Sequence, residues 1–113
     1  MSKLDTLFDQ QKKLQEFFNI DFYQMSNIAR KQYIKDNILD SIEELNSINK
    51  KVDKKKTHIV KESSKQNIND LFHFIINICI ALEISPEELY DMYNKRNEYI
   101  YKNSDKYKKR KRR

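Results

Sequence analysis

Apolar residues along this chain recur mostly at three- and four-residue intervals, the repeat of a helix that buries one side. Leu4, Leu7, Phe8, Leu14 and Phe18 follow that repeat and predict a first amphipathic helix from Leu4 to Phe18, with Gln11 in the middle of its stripe. A buried carboxamide left unpaired costs about 1 to 3 kcal/mol, so Gln11 calls for an internal partner or a ligand. Residues 19–29 mix aromatic and polar side chains without a period and predict a connection holding a short helical turn. A second helix is expected from Arg30 to Asn49, with Ile34, Ile38, Ile42, Leu45 and Ile48 as its buried edge. Asp40, Ser41, Glu43, Glu44 and Ser47 lie beside that edge, and Glu44, next to Leu45, is the acid best placed to look into a cleft.

Residues Lys50 to Lys65 are charged, hold three apolar residues and show no period, which predicts a surface loop of mobile character with a solvent-exposed His58. The stretch from Gln66 to Leu82 is the centre of the pattern. Its second half is apolar on every side, so a helix made of it is expected to be covered on all faces. Leu71 to Leu82 is much shorter than the roughly 20 apolar residues of a membrane span, and His73 and Asn77 interrupt it. Gln66, Asp70, His73 and Asn77 fall at helical spacing and form a polar stripe that needs partners. Ser85-Pro86-Glu87-Glu88 then predicts a helix start, with Ser85 as N-cap, Pro86 in the first turn and Glu88 closing a capping box. The last helix turns Leu89, Met92, Tyr93, Ile100 and Tyr101 inward, with Arg96 on the same stripe. An inward guanidinium stays charged and calls for a carboxylate or a phosphate.

Composition narrows the class. A chain of 113 residues with no Gly and one Pro lacks the residues that tight hairpins and phosphate-cradling loops require, which points to an all-α bundle of four to five helices and removes the Gly-rich nucleotide motifs. The size predicts one domain, residues 1–103, followed by a basic disordered tail, 104–113. The formal charge is +6, but Lys106, Lys108, Lys109, Arg110, Lys111, Arg112 and Arg113 lie at the end, so residues 1–105 carry a net −1. The basic character belongs to the tail, and such runs bind nucleic acid weakly, act as nuclear signals or solubilise. The lone Cys79 reads as a small apolar core residue, and a single thiol suits a cytoplasmic location.

Glu44, Asp70, His73, Gln11 and Arg96 could converge on a polar pocket inside such a bundle. Two carboxylates on separate helices, Glu44 and Asp70, suffice for one Mg²⁺ when water and substrate phosphates complete its octahedron. The sequence offers no nucleophile with an adjacent base and no Cys and His spacing suited to zinc.

Three stretches resemble the dimeric all-α dUTP pyrophosphatases of the all-α NTP pyrophosphohydrolase superfamily. LFDQQKKLQEFF (Leu7 to Phe18) is similar to that family's LFxxQxxLD helix. NILDSIEELNSI (Asn37 to Ile48) is similar to its ExxE helix. NINDLFHFIINICIALEISPEELYDMYNKRNE (Asn67 to Glu98) is similar to its ExxD helix and to the last helix with a KN motif. The resemblance implies a dUTPase-like, Mg²⁺-dependent hydrolysis of dUTP or another nucleoside triphosphate to monophosphate and pyrophosphate, by a homodimer. It implies Glu44 and Asp70 as metal and catalytic acids, with Gln11, His73, Arg96 and Asn97 on the substrate. Ser41 and Asn67 stand where the family has its other two carboxylates, Arg96 replaces the Lys of KN, and the base-stacking tryptophan is missing. A metal cluster with half its acids implies weak or lost turnover. The alternative expectation is a non-catalytic helical interaction or nucleic-acid-binding module that uses its surface or its basic tail.

Overall fold

The computed structural model describes residues 2–52 and 56–106. Four helices make up almost all of it: α1 (Lys3–Phe17), α2 (Asn27–Val52), α3 (Thr57–Ala81) and α4 (Pro86–Lys102), and no strand occurs among the described residues. The all-α class follows directly. The chain groups into two compact units, residues 1–83 with α1, α2 and α3, and a second from Ile84 onward that holds α4.

In the first unit, α1 starts on a capping box, with the Ser2 hydroxyl accepting from the Asp5 N–H and the Asp5 carboxylate accepting from the Ser2 N–H, which satisfies two orphan donors at once. It ends at Phe18, and the chain turns through Asn19 at a positive φ of 59°. The expected mobile loop over 50–65 is replaced by helix. α2 continues to Val52 and α3 already begins at Thr57, leaving a break of four residues, three of which lie outside the described residues. Lys and Glu are good helix formers without needing an apolar period, and Lys51 of α2 reaches the Ser63 carbonyl and the Asn67 side chain of α3, so a charged stretch extends two helices here. His58 lies in the exposed first turn of α3.

α2 and α3 pair antiparallel. Side-chain bonds join Asn37 to Asn77, Glu44 to Asn67 and Lys51 to both Ser63 and Asn67, so the α2 numbers rise as the α3 numbers fall. α1 lies on one side of this hairpin, tied to His73 and Asn77 of α3 and to Tyr33 of α2. The apolar core is small. Among the described residues, Phe8, Ile76, Cys79 and Ala81 are the buried apolar side chains, and Phe8 is the large one closed off completely.

The expected buried edge of α2 is corrected by this packing. Ile38, Ile42 and Leu45 are 45 to 49% exposed, and the side of α2 turned to α3 carries Ile34, Asn37, Ser41, Glu44, Ile48 and Lys51, of which Asn37 is buried and the others half-buried. The phase of the helix is one residue off from the apolar one, since residues 38, 42 and 45 each follow a seam position. The expectation that α3 is covered on all faces is corrected in the same way. Ile68, Phe72 and Ile75 remain 40 to 53% exposed, each one residue past the seam positions Asn67, Leu71 and Phe74. In α1, Leu7, Leu14 and Phe18 are exposed while Gln11 and Gln15 are buried beside Phe8.

The second unit starts with the N-cap and the proline that the sequence predicts, and of the expected capping box it shows the half made by Ser85. The Ser85 hydroxyl accepts from the Glu88 N–H and Pro86 takes the first turn of α4. Leu89, Asn97 and Ile100 are half-buried, but Met92, Tyr93 and Tyr101 are 61 to 81% exposed, which corrects their expected inward placement. Of the expected tail, Ser104 to Lys106 form a short helical turn after the α4 C-cap at Asn103, and residues 107–113 lie outside the described residues.

Candidate functional site

The polar side chains of the first unit fall into two layers between the helices. The first is a directed chain of carboxamides. Gln11 Nε2 donates to Asn77 Oδ1 at 2.7 Å, and Gln15 Nε2 donates to the same oxygen at 2.9 Å and to the Tyr33 hydroxyl at 3.4 Å. Asn77 Nδ2 donates to Asn37 Oδ1 at 3.0 Å, and Asn37 Nδ2 ends the chain on the Tyr33 carbonyl at 2.9 Å. Because Gln11 gives its amide hydrogens to Asn77, its Oε1 is the atom facing His73 Nδ1 at 2.6 Å, so that nitrogen carries the proton and His73 donates. Each amide orientation is thus fixed by the next. Gln11, Gln15 and Asn37 are buried, and a group orphaned there would carry its full desolvation cost, so the layer holds α1, α2 and α3 in one register.

The second layer lies further along the hairpin. Asn67 Nδ2 donates to Glu44 Oε2 at 2.6 Å, and the Lys51 ammonium donates to Asn67 Oδ1 at 2.6 Å and to the Ser63 carbonyl at 2.8 Å. Asn67 therefore bridges an acid and a base that are both on α2. Ser41 turns its hydroxyl back to the Asn37 carbonyl at 2.8 Å, as serines inside helices commonly do.

The residues expected at a nucleotide site are divided among these arrangements. Gln11 and His73 meet in the carboxamide layer, Gln11 with the internal partner its burial requires. Glu44 meets Asn67 in the second layer, while Asp70 accepts from Gln66 of its own helix at 2.8 Å, so the two acids share no bonding partner. Arg96 and Asn97 lie on α4 in the second unit, where the Arg96 guanidinium sits 5.0 Å from the centre of the Tyr99 ring. Gln15, Asn37 and Lys51, which had no assigned role in the sequence reading, complete the layers together with Asn77 of the polar stripe, which finds there the partners it calls for. Their signal was available: Gln11 and Gln15 are four apart, and Asn37, Ser41, Glu44 and Lys51 follow a spacing of four, three and seven.

Among the described residues, no group of three or more His, Cys, Asp or Glu side chains is placed to hold a metal ion. The donor set between α2 and α3 does not fit Mg²⁺. A hard divalent cation takes an oxygen shell rich in carboxylates, whereas here a carboxamide nitrogen faces the Glu44 carboxylate and an ammonium occupies the Asn67 oxygen. Burial raises the Tyr33 hydroxyl above its ordinary value of 10.0, opposed by its bonds with Gln15 and Asn37, and likewise raises the Cys79 thiol above 9.0. Neither group is poised to ionise near neutrality, so neither supplies an activated nucleophile.

No single helix among the described residues is long and apolar enough to cross a membrane. Neither a protein-family model nor a curated protein nor a solved structure matches the chain.

Proposed function

We propose that the chain is a non-catalytic helical association module that docks an apolar helical surface on the open side of the α2–α3 hairpin. The observation that carries this reading is the phase of α2, in which Asn37, Ser41 and Glu44 face α3 while Ile38, Ile42 and Leu45 face solvent. In water, a two-helix hairpin gains most by placing its apolar residues in the seam. A hairpin with carboxamides in the seam and a row of Ile and Leu outside has its largest uncollected hydrophobic gain on the outer face. Polar seam groups fix register, and the apolar exterior supplies affinity for whatever covers it.

Methyl relaxation by a soluble paramagnetic agent tests the reading. The methyls of Ile38, Ile42, Leu45, Ile68 and Ile75 should become protected as one block, either as protein concentration rises or on adding an amphipathic helical peptide, while Ile28 stays accessible. Stripe methyls that remain as accessible as those of Ile28 under every condition would overturn it.

The pyrophosphohydrolase reading draws its support from the sequence resemblance. Calorimetry with a non-hydrolysable dUTP analogue and Mg²⁺ decides it: saturable binding at micromolar ligand favours it over the association module, and no heat at millimolar ligand removes it. Nucleic-acid contact through the basic tail is a proposal that rests on the sequence alone, tested by comparing salt-dependent affinity with and without residues 104–113.

A further inference from the structure

The two arms of the α2–α3 hairpin carry one surface pattern twice. On α2, Lys31, Lys35, Ile38, Ile42 and Leu45 follow a spacing of four, three, four and three. On α3, Lys61, Lys65, Ile68, Phe72 and Ile75 repeat that spacing, again two lysines and then three apolar residues. All ten are exposed, and each follows a buried or half-buried residue by one position. In antiparallel right-handed helices that advance turns both rows to the same side of the plane through the two axes, away from the Tyr33, His73 and Asn77 side that binds α1. The register set by Asn37 with Asn77 and by Glu44 with Asn67 places Ile38 beside Ile75, Ile42 beside Phe72 and Leu45 beside Ile68, a strip of six apolar side chains 40 to 53% exposed. Because the helices run in opposite directions, the two lysine pairs stand at opposite ends of this strip, one on each edge. None of the acids of α2 and α3, Asp36, Asp40, Glu43, Glu44, Glu62 and Asp70, falls on either row. Lys65 pairs with Glu62 of its own helix at 3.0 Å, with both side chains more than 60% exposed, and among the described residues Lys31, Lys35 and Lys61 have no carboxylate partner.

From this pattern we infer that the strip takes an amphipathic helix of another protein, one whose apolar stripe carries Asp or Glu at both ends. The inference rests on the association reading above and names the partner's chemistry. The six apolar side chains are about half covered where they stand, so they line a shallow groove between two helices, which a further helix fills by laying its own apolar row along it. Each row runs about four helical turns, roughly 20 Å, so a partner helix of about 14 residues reaches both lysine pairs. Carboxylates at its two ends meet those ammonium groups, which speeds encounter and fixes the register of the helix in the groove, while the apolar stripe supplies the affinity. A second copy of the same strip brings no carboxylate to these lysines. A bilayer takes an apolar face pushed roughly 5 to 10 Å into it, and side chains half sunk in a groove suit a helix better.

Three synthetic peptides of one helical design test the inference. Each carries a leucine stripe, and they differ only in the first and last turns, which hold Glu, Gln or Lys. NMR titration of the full chain reads both the affinity and the methyls that respond. At low salt the Glu peptide should bind about tenfold tighter than the Gln peptide, and the Lys peptide weakest, with responses at Ile38, Ile42, Ile68 and Ile75 and a margin that shrinks at high salt. Lys35→Glu with Lys65→Glu, both at exposed positions, should reverse that order and leave the helical circular dichroism unchanged. The basic tail is the same in parent and variant, so it contributes nothing to the reversal. Equal binding of the Glu and Gln peptides, or an order that the double variant leaves in place, would overturn the acidic partner and leave the association reading standing. Strip methyls protected by self-association of the chain and not by the Glu peptide would do the same. Protection by phosphatidylserine vesicles alone, or by no peptide, vesicle or protein concentration, would remove both.

Discussion

Asn67 faces Glu44 across the α2–α3 seam, its amide nitrogen 2.6 Å from the carboxylate, while its oxygen takes a hydrogen bond from Lys51 at 2.6 Å. One neutral side chain on α3 thus joins an acid and a base one helical heptad apart on α2. Asn67→Leu strips both charged groups of that bond. The expected cost is about 1 to 3 kcal/mol, seen as a lower urea midpoint with an unchanged slope. Because this donor set does not fit Mg²⁺, millimolar MgCl₂ should leave the parent's melting temperature where an ionic-strength control puts it. A rise of several degrees specific to Mg²⁺ would show a metal site that this arrangement does not provide.

Asn77 serves as acceptor for two glutamines of α1 and as donor to Asn37 of α2. Asn77→Leu removes one hydrogen bond from each of three buried amide side chains and leaves the Gln11 amide nitrogen without its partner, so it should destabilise by about 2 to 4 kcal/mol, more than Gln11→Ala or Gln15→Ala alone. A double-mutant cycle between Gln11→Ala and Asn77→Ala should return a coupling above about 0.5 kcal/mol. Additive effects would mean that the carboxamide layer does not act as a unit.

Alkaline pH probes the same layer. Burial holds the Tyr33 hydroxyl above its ordinary value of 10.0, so the neutral phenol is favoured in the folded state. Its contribution is fully present below the unfolded value and is lost as pH rises through the folded one. Stability should therefore fall as pH rises above 10, and Tyr33→Phe should flatten that limb of the profile. Ultraviolet titration of the parent should show one tyrosine ionising later than the rest, and its absence from Tyr33→Phe assigns it.

At the other end of the pH scale, the Ser2 hydroxyl and backbone N–H bind the Asp5 carboxylate and hold it below its ordinary value of 3.8. A lowered folded value gives stability that is present above the unfolded value and lost as pH falls through the folded one. Asp5→Asn should reduce the helicity of α1 at neutral pH. The difference from the parent should vanish in strong acid, as followed by circular dichroism.

The helical class, the start of α4 at Ser85 and the burial of Cys79 and Gln11 were all legible from local signals: period, cap residues and the cost of burying a lone amide. What sequence could not supply was phase. In α2 the apolar row 38, 42, 45 and the polar row 37, 41, 44 have the same period and differ by one residue, and hydrophobicity alone assigns the apolar row to the inside. The choice is reversed because Asn37 and Glu44 find matched partners in Asn77 and Asn67, and those partners become visible only once α3 is laid alongside. The stretch from Lys50 to Lys65 failed for another reason. Its helical segments are tied together by Lys51 reaching Ser63 and Asn67, a contact that leaves no period in the sequence.

The account's central claim is that phase, and cysteine scanning of α2 in a Cys79→Ala background reads it most directly. Single cysteines at positions 37 to 45, labelled with a maleimide at protein concentrations too low for self-association, should react fast at Ile38→Cys, Ile42→Cys and Leu45→Cys and slowly at Asn37→Cys, Ser41→Cys and Glu44→Cys. Fast labelling at 37, 41 and 44 with protection at 38, 42 and 45 would put the apolar row back in the seam and contradict the account.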